Sequence, residues 1–373
     1  MAINMPIRVG LIGIGNIASM LVQAIEYYKR NGSAEGLIHH TIGGYKISDI
    51  EIVYAIDISK HKVGKDLSEA VFAPPNLVPK LIDLDETGVI VRMGKVLDGV
   101  APHMIEDFAP LNDNEPSKNL LIKEIRENDL DMLINLLPVG SSYATRFYAE
   151  VAAEAGISFI NCIPEFIASN DGFKEIFRKN RALLLGDDIK GQLGATIVHR
   201  TLASLITWRG ALIVESYQLN VGGNSDFKNM TDHSRLHSKH ISKTMAVAST
   251  QPDPNKIFRK IHAGPSGYIP FLRNKKIAYI YILAKAFMGI PVKIDLKLEV
   301  DDKAMATAIL IDVIRLAKVL IEKEIYGCPP WASAPYFKYP PIPVSSDAEA
   351  LHRLYEELDK LGIDIRPRYV ELY

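Results

Sequence analysis

The apolar residues of this chain fall into two patterns, one along the N-terminal half and another after it. Ile7 to Ile12 is a short apolar run closing on glycines, as in a strand buried on both faces. From Ile17 the apolar positions Leu21, Ile25 and Tyr28 form one stripe of a helix. Residues 30–48 are glycine-rich and polar and read as an inserted loop. Ile50 to Ile56 is a second apolar run, ending at Asp57. Met132 to Leu137 and Ile157 to Ile163 are two more, with a helical pattern from Tyr143 to Ala155 between them. Strands alternating with helices predict a parallel sheet covered on both faces.

After about residue 195 the pattern changes. Leu212 to Val221, Ile277 to Leu283 and Val292 to Val300 read as strands. In the last, Ile294, Leu296 and Leu298 alternate with Lys293, Asp295, Lys297 and Glu299, which predicts a sheet with one wet face in an α+β unit. Two helices are predicted around it, over roughly Thr231 to Thr250 and, amphipathic and longer, over Ala304 to Glu324. The C-terminal region is punctuated by prolines and then helical from about Asp347 to Leu361.

Composition narrows the classes of function. At 373 residues, 48% of them hydrophobic, the chain has room for one large or two medium domains with a sizeable core. A formal net charge of −1 gives no overall positive field for nucleic acid. Cys162 and Cys328 cannot build a disulfide framework or a zinc site, and they fit a reducing, cytoplasmic compartment. No apolar stretch reaches the roughly 18 residues of a membrane span. The stretch Val9 to Val22 carries Gly10, Gly13, Gly15 and Asn16 and no cleavage pattern, so it reads as strand, turn and helix rather than a leader.

That turn is the first candidate site. Gly13-Ile14-Gly15-Asn16-Ile17-Ala18 is G-x-G-x-x-A between a strand and a helix. The first glycine permits the turn, the second lets backbone approach a pyrophosphate, and the small Ala18 lets helix and strand pack closely. The helix N-terminus offers free N–H groups to the anion. Asp57, ending the next strand, is placed to accept ribose hydroxyls, which favours NAD over NADP. Its bland alternative is a solvated acid at a strand end.

The second candidate site is a set of lysines and acids. Asn220-Val221-Gly222-Gly223-Asn224-Ser225-Asp226 packs glycines and short polar side chains after a strand, suited either to a phosphate or to a plain hairpin. Lys239 and Lys243 stand four apart on a helix and face one side. Mutual repulsion and partial burial would lower a lysine's pKa and make a neutral base available. Solvated lysines are the alternative. Lys276 and Lys338 stand near the turn-forming groups Gly264-Pro265-Ser266 and Pro340-Pro341, and Asp302 follows a strand beside Asp301. The pair Asp187-Asp188 follows another apolar stretch and suits a divalent cation, the nicotinamide region or a helix cap.

Together these segments resemble the inositol-1-phosphate synthase family, in its shorter bacterial and archaeal branch, from Val9 to about Pro343. The most specific stretch is Asn220 to Val247, containing Val221 to Met230 and Ser242-Lys243-Thr244, backed by Gly186 to Lys190, Gly194-Ala195-Thr196, Gly264-Pro265-Ser266, Leu298-Glu299-Val300 and Ile311-Asp312. The resemblance implies a Rossmann domain, 1–195 plus 304–373, completed by the C-terminal segment. An α+β catalytic and tetramer-forming domain, 196–303, is inserted in it. It implies a homotetramer acting on a small sugar phosphate, with NAD as cofactor and a divalent metal left open. The reaction implied is cyclisation of glucose 6-phosphate to 1D-myo-inositol 3-phosphate by oxidation at C5, enolisation at C6, aldol attack on C1 and reduction. Carried over, the catalytic residues are Lys239, Lys243, Lys276, Lys338, Asp226 and Asp302. Asn220, Gly222, Gly223, Asn224 and Lys243 take the phosphate. Gly13, Gly15, Asn16, Ile17, Ala18, Asp57, Asn135, Pro138 and Asp188 take the cofactor. Asp187 and Asp188 are the metal candidates.

Two departures from the family pattern stand out. Gly191 replaces a frequent serine after Gly-Asp-Asp-x-Lys, and Lys303-Ala304-Met305-Ala306 replaces a Ser-Pro-Asn-Ser-like turn. The competing readings are an NAD-dependent sugar-phosphate or amino-acid dehydrogenase, and a non-catalytic NAD-sensing or assembly protein on the same fold.

Overall fold

The computed structural model describes residues 5–111 and 115–367; the extreme ends of the expected Rossmann unit, 1–4 and 368–373, lie outside them. The strands are β1 Ile7–Ile12, β2 His39–Ile42, β3 Ile50–Asp57, β4 Arg92–Met93, β5 Met132–Asn135, β6 Ser158–Asn161, β7 Leu184–Leu185, β8 Leu212–Gly222, β9 Ile261–Tyr268, β10 Lys275–Lys285, β11 Pro291–Asp301 and β12 Ile365–Pro367. The longer helices are α1 Asn16–Asn31, α2 Lys118–Glu127, α3 Ser142–Ala155, α4 Asp171–Lys179, α5 Ala195–Trp208, α6 His237–Ala248, α7 Asp302–Glu322 and α8 Asp347–Lys360.

Six strands form a parallel sheet in the order β4-β3-β1-β5-β6-β7. Counting only its own strands in chain order, this is the doubly wound arrangement 3-2-1-4-5-6, whose direction of winding reverses between β1 and β5. Burial on both faces explains the unbroken apolar runs: Ile7, Val9 and Leu11 pack into one core cluster and Ile12, Leu133 and Phe159 into another.

A separate four-stranded sheet has the order β11-β10-β8-β9, with β8 and β9 parallel and β10 antiparallel to β8 and β11. Alternation gives it one covered face. Ile213, Ile261, Ile280, Ile282 and Ala284 pack under Ala203 and Ile206 of α5 and Val247 and Ala248 of α6. Tyr217 and Tyr281 stack on the other face, their ring centres 5.1 Å apart. The chain is thus a Rossmann-like α/β core with a second, mixed-sheet unit between its strands and its C-terminal helices.

Three expectations are corrected. Residues 30–48 are not only a loop: His39–Ile42 is β2, paired antiparallel with β12. His39 is fully buried, its Nδ1 2.5 Å from Asp312 Oδ2. Gly264-Pro265-Ser266 lies within strand β9, at the sheet edge where a proline costs no ladder bond. The helix expected from Ala304 starts at Asp302, because Asp301 accepts from the backbone N–H groups of Lys303 and Ala304. It is not amphipathic in use. Its polar Asp312, Arg315 and Lys318 are buried too, with Arg315 donating to the carbonyls of His39 and His40 and Lys318 to Asp131.

Candidate active site

The glycine turn follows β1 at the reversal point of the parallel sheet, where such folds bind ligands. Gly13 has φ +88° and donates its N–H to the Ile56 carbonyl. A side chain there would press within 3.1 Å of the Leu136 carbonyl, whereas a Cβ on Gly15 would meet nothing within 4 Å. Backbone at Gly15 is therefore open to a ligand. Gly15 is also the N-cap of α1 and offers no side chain to its first amides, those of Asn16, Ile17 and Ala18. Asp57 accepts from the N–H groups of Ile14, Ile58 and Ser59 at 2.8, 2.8 and 2.9 Å. A carboxylate has about four acceptor positions, so one remains for a hydroxyl. These features fit a dinucleotide.

Two cavities meet at this turn. One is lined by Gly13, Asp57 and Lys62, the other by Asn16, Ile17 and the lysine cluster; Gly15, Phe108, Leu136, Leu137 and Pro138 line both. Lys239, Lys243, Lys276, Lys303, Lys338, Asp188, Asp226 and Asp302 all line the second. Residues far apart in sequence thus share one cleft beside the glycine turn.

Each arrives by a definable route. Lys276 lies on the covered face of β10, in the alternation that also buries Ala278 and Ile280. Pairing of Lys276 with Val300 on β11 brings it to Asp302, with which it forms an ion pair. Lys239 and Lys243 project from one side of α6. Lys338 is brought in by a backbone exchange in which its N–H donates to the Asp188 carbonyl, 2.8 Å, and Tyr339 and Asp187 bond each other twice. Asp188 then sits between Lys338, 2.8 Å, and Lys239, 3.2 Å, and accepts from the Ser242 hydroxyl at 2.7 Å. Lys303 pairs with Asp226 at 3.3 Å. Among the described residues no carboxylate lies within ion-pair distance of Lys243.

These contacts sort the protonation states. Burial disfavours charge on Asp188, but Lys239 and Lys338 outweigh it and hold the carboxyl well below its ordinary range. Asp302 is lowered in the same way, burial being outweighed by Lys276 and Lys303. Burial works against the charge of Lys239 as well, yet Asp188 and Asp226 carry its pKa upward. Burial lowers Lys338 to about 8, with Asp188 opposing the fall. Lys243, buried and surrounded by Lys239, Lys276 and Lys338, is pushed well below the usual lysine value. The repulsion expected from the 239/243 spacing thus lowers Lys243, while the carboxylates carry Lys239 the other way.

Several expected positions lie elsewhere. Asn220 is fully buried on the inner face of β8, where its amide donates to the Gly264 carbonyl at 2.6 Å and accepts from Gln218 at 3.0 Å. Gly223 does not turn its amide toward an anion, for it donates to Arg273 O at 3.1 Å, and Gly222 closes strand β8. Asn224 caps the short helix at Ser225–Asn229, accepting from Asp226 and Phe227. None of the four lines the cleft; they shape the turn that presents Ser225 and Asp226 to it. Asn135 is likewise fully buried behind the wall, bonded to Thr145 and Asn161. Asp187 accepts from the backbone N–H groups of Ile167, Ala168 and Ser169 and points away from Asp188, whose own backbone is left-handed at φ +62°. With one carboxylate saturated by amides and the other by lysines, the pair does not fit a divalent cation. No group of three or more His, Cys, Asp or Glu among the described residues is arranged for one.

Sequence reasoning missed two parts of the wall. One is the amino end of α5: Gly194, Ala195 and Thr196 line the cleft, and Gly194 provides no side-chain cap for the amides. Gly194-Ala195-Thr196 was visible as a motif, but not as an anion site. The other is Lys303. Its signal was a cation placed just inside a helix N-terminus, where the dipole disfavours it.

Comparison with known proteins bears on the same residues. The sequence pattern of the family described as myo-inositol-1-phosphate synthase matches residues 194–303, which carry α5, α6 and the second sheet. Inositol-3-phosphate synthase of Mycolicibacterium smegmatis is 41% identical over 347 residues, covering 91% of this chain and 95% of the relative. The chain belongs to the inositol-3-phosphate synthase family. The Corynebacterium glutamicum member is 40% identical with the same coverage of both chains, 91% and 95%. Among solved structures, Ari2 superposes with a TM-score of 0.76 at 31% identity, covering 95% of this chain and 99% of that one. The Caenorhabditis elegans member, at 16% identity, shares the fold with a TM-score of 0.74. Membership of this family makes the chain an enzyme, an isomerase of the intramolecular lyase type. No helix among the described residues is long and apolar enough to cross a membrane.

Proposed function

We propose that the enzyme converts glucose 6-phosphate to 1D-myo-inositol 3-phosphate, with NAD recycled at the glycine turn. The observation that carries this reading is the single cleft joining Gly15 and Asn16 to Lys239, Lys243, Lys276 and Lys338. A reaction that builds oxyanions beside a phosphate dianion needs fixed cations there, and they act most strongly in a site that excludes water.

In this reading the amides of Asn16, Ile17 and Ala18 hold the NAD pyrophosphate and Asp57 a ribose hydroxyl. NAD bound there supplies a hydride acceptor and, later, a hydride donor at C5 of the sugar. The chain's own residues handle the protons and charges. Lys338, lowered to about 8, takes the C5 hydroxyl proton when neutral and returns it at the end. The C5 ketone acidifies C6, whose proton passes to the substrate phosphate or to a neutral lysine. The enolate carbon bonds C1, and the C1 oxygen becomes an alkoxide. Lys239, kept protonated by Asp188 and Asp226, stabilises that oxygen until it takes up the proton removed from C6, and Lys276, paired with Asp302, stabilises the one at C5. The phosphate is met by Lys243 and the amino end of α5, in place of Asn220. Entry of a dianion reverses the repulsion on Lys243 and draws a proton onto it.

A homotetramer in the cytoplasm belongs to the same reading. Phe287 and Met288 at the tip of the second sheet are 81% and 84% exposed, apolar surface that a partner subunit would cover. The reduced Cys162 and Cys328 suit that compartment. The test is incubation with glucose 6-phosphate and catalytic NAD, with the product identified by NMR. Cyclised product without net NADH is expected. Stoichiometric NADH would replace the reading with a dehydrogenase.

A further inference from the structure

Lys303 has no part in the chemistry assigned above, yet its position demands one. It is the second residue of the 21-residue helix α7, where the positive end of the helix opposes an ammonium group. Its side chain is 9% exposed, and the burial of a cation is costly unless its charge is used. It nonetheless lines the cleft, with Nζ 3.3 Å from Asp226 Oδ2. Asp226 has a second cation acting on it, Lys239. Lys303 can therefore turn toward an incoming anion without leaving a carboxylate stranded.

The neighbourhood indicates which anion. The loop before α5 is tied to the first turn of α7 by the Gln192 N–H, which donates to the Met305 carbonyl at 2.9 Å. A Cβ on Gly191 would stand 3.1 Å from the Met305 Cβ, so Met305 fills the space into which a side chain at 191 would grow. Gly191 and the turn Lys303 to Ala306 are thus one patch of wall. That patch borders the uncapped amides of Ala195 and Thr196. Gly191 adds no side chain to this patch, and Lys303 adds an ammonium.

We propose that Lys303 is a specificity-determining residue that binds the phosphate of the sugar phosphate. The proposal rests on the reading of the substrate as a hexose phosphate.

The experiment uses the NAD-loaded full chain and the variants Lys303→Met, Lys303→Gln and Lys303→Arg. A charge-assisted hydrogen bond contributes about 1.5–3 kcal/mol, so KM for glucose 6-phosphate should rise about 10- to 150-fold in Lys303→Met and Lys303→Gln. kcat should stay within about threefold and Lys303→Arg should recover most of the loss, since guanidinium also binds phosphate. Calorimetric binding of inorganic phosphate should weaken in parallel, while binding of unphosphorylated glucose should not change. An unchanged KM, or a fall in kcat at constant KM, would overturn the proposal, the latter because Lys303 would then act through Asp226. If the wild-type chain neither binds nor turns over glucose 6-phosphate, the substrate reading fails. Inorganic phosphate then still decides the residue: equal binding by wild type and Lys303→Met refutes its role, and weaker binding by the variant supports it.

Discussion

Asp188→Asn tests the electrostatics of the cleft at its centre. The carboxylate faces Lys338 at 2.8 Å and Lys239 at 3.2 Å. With an effective dielectric of about 20, charges about 3 Å apart interact by about 5–6 kcal/mol. The part of this expressed in a neighbouring pKa is about 1–3 pH units. Lys338 already stands at about 8 because burial lowers it and Asp188 opposes the fall. Without the carboxylate it should drop a further 1–3 pH units, roughly. The working form of Lys338 is the neutral base, so kcat/KM climbs as pH rises through its pKa. In the variant that climb should move to lower pH, although kcat falls by about 10²–10³ because Lys239 loses one of the carboxylates that hold its charge and position. Removing the carboxylate shared by two buried lysines should also cost about 3–5 kcal/mol of stability. The assay is the pH profile of product formation, with the lysine titration followed separately by NMR of ¹³C-methylated lysines. A climb at unchanged pH, or one moved to higher pH, would refute the reasoning.

Lys239→Met should lower turnover by at least about 10²-fold while NAD affinity, measured by fluorescence titration, stays within about twofold, since the cofactor is assigned to the glycine turn and Asp57. Asp57→Ala removes the acceptor of three backbone N–H groups and the expected ribose contact. NAD binding should weaken by about tenfold or more, with glucose 6-phosphate binding nearly unchanged; equal NAD affinity would exclude the ribose role. Gly223→Ala should destabilise the chain by about 1–3 kcal/mol, read from the denaturant midpoint, because the added Cβ would stand 2.5 Å from Arg273 N, a backbone atom that cannot give way. A midpoint equal to wild type would show that the turn carrying Asp226 tolerates displacement.

Local chemistry made much of this protein legible from the chain alone. Periodicity marked β1, β3, β5 and β6, since strands buried on both faces must be apolar throughout. The glycine turn was legible because only glycine adopts φ +88° at the first position and leaves backbone open at the third. The four-residue spacing of Lys239 and Lys243 fixed their common side on a helix. Strand β2 was not legible: His39 and Thr41 do not look like a strand until β12 and Asp312 are beside them.

The tertiary structure alone decided which polar residues face the cleft. Asn220 and Asp226 lie in one polar stretch, but strand alternation turns Asn220 inward while the short helix after it presents Asp226 outward. Lys276 meets Asp302 through the register of β10 on β11, and Lys338 meets Asp188 through a backbone exchange between distant segments. The same packing brings Lys303 to Asp226 and Gly191 to Met305. Spacing along a chain fixes the direction of a side chain relative to its own helix or strand. Which other charge it meets, and so whether it is an ammonium or a neutral base, depends on how those elements pack, because Coulomb interactions follow distance in space.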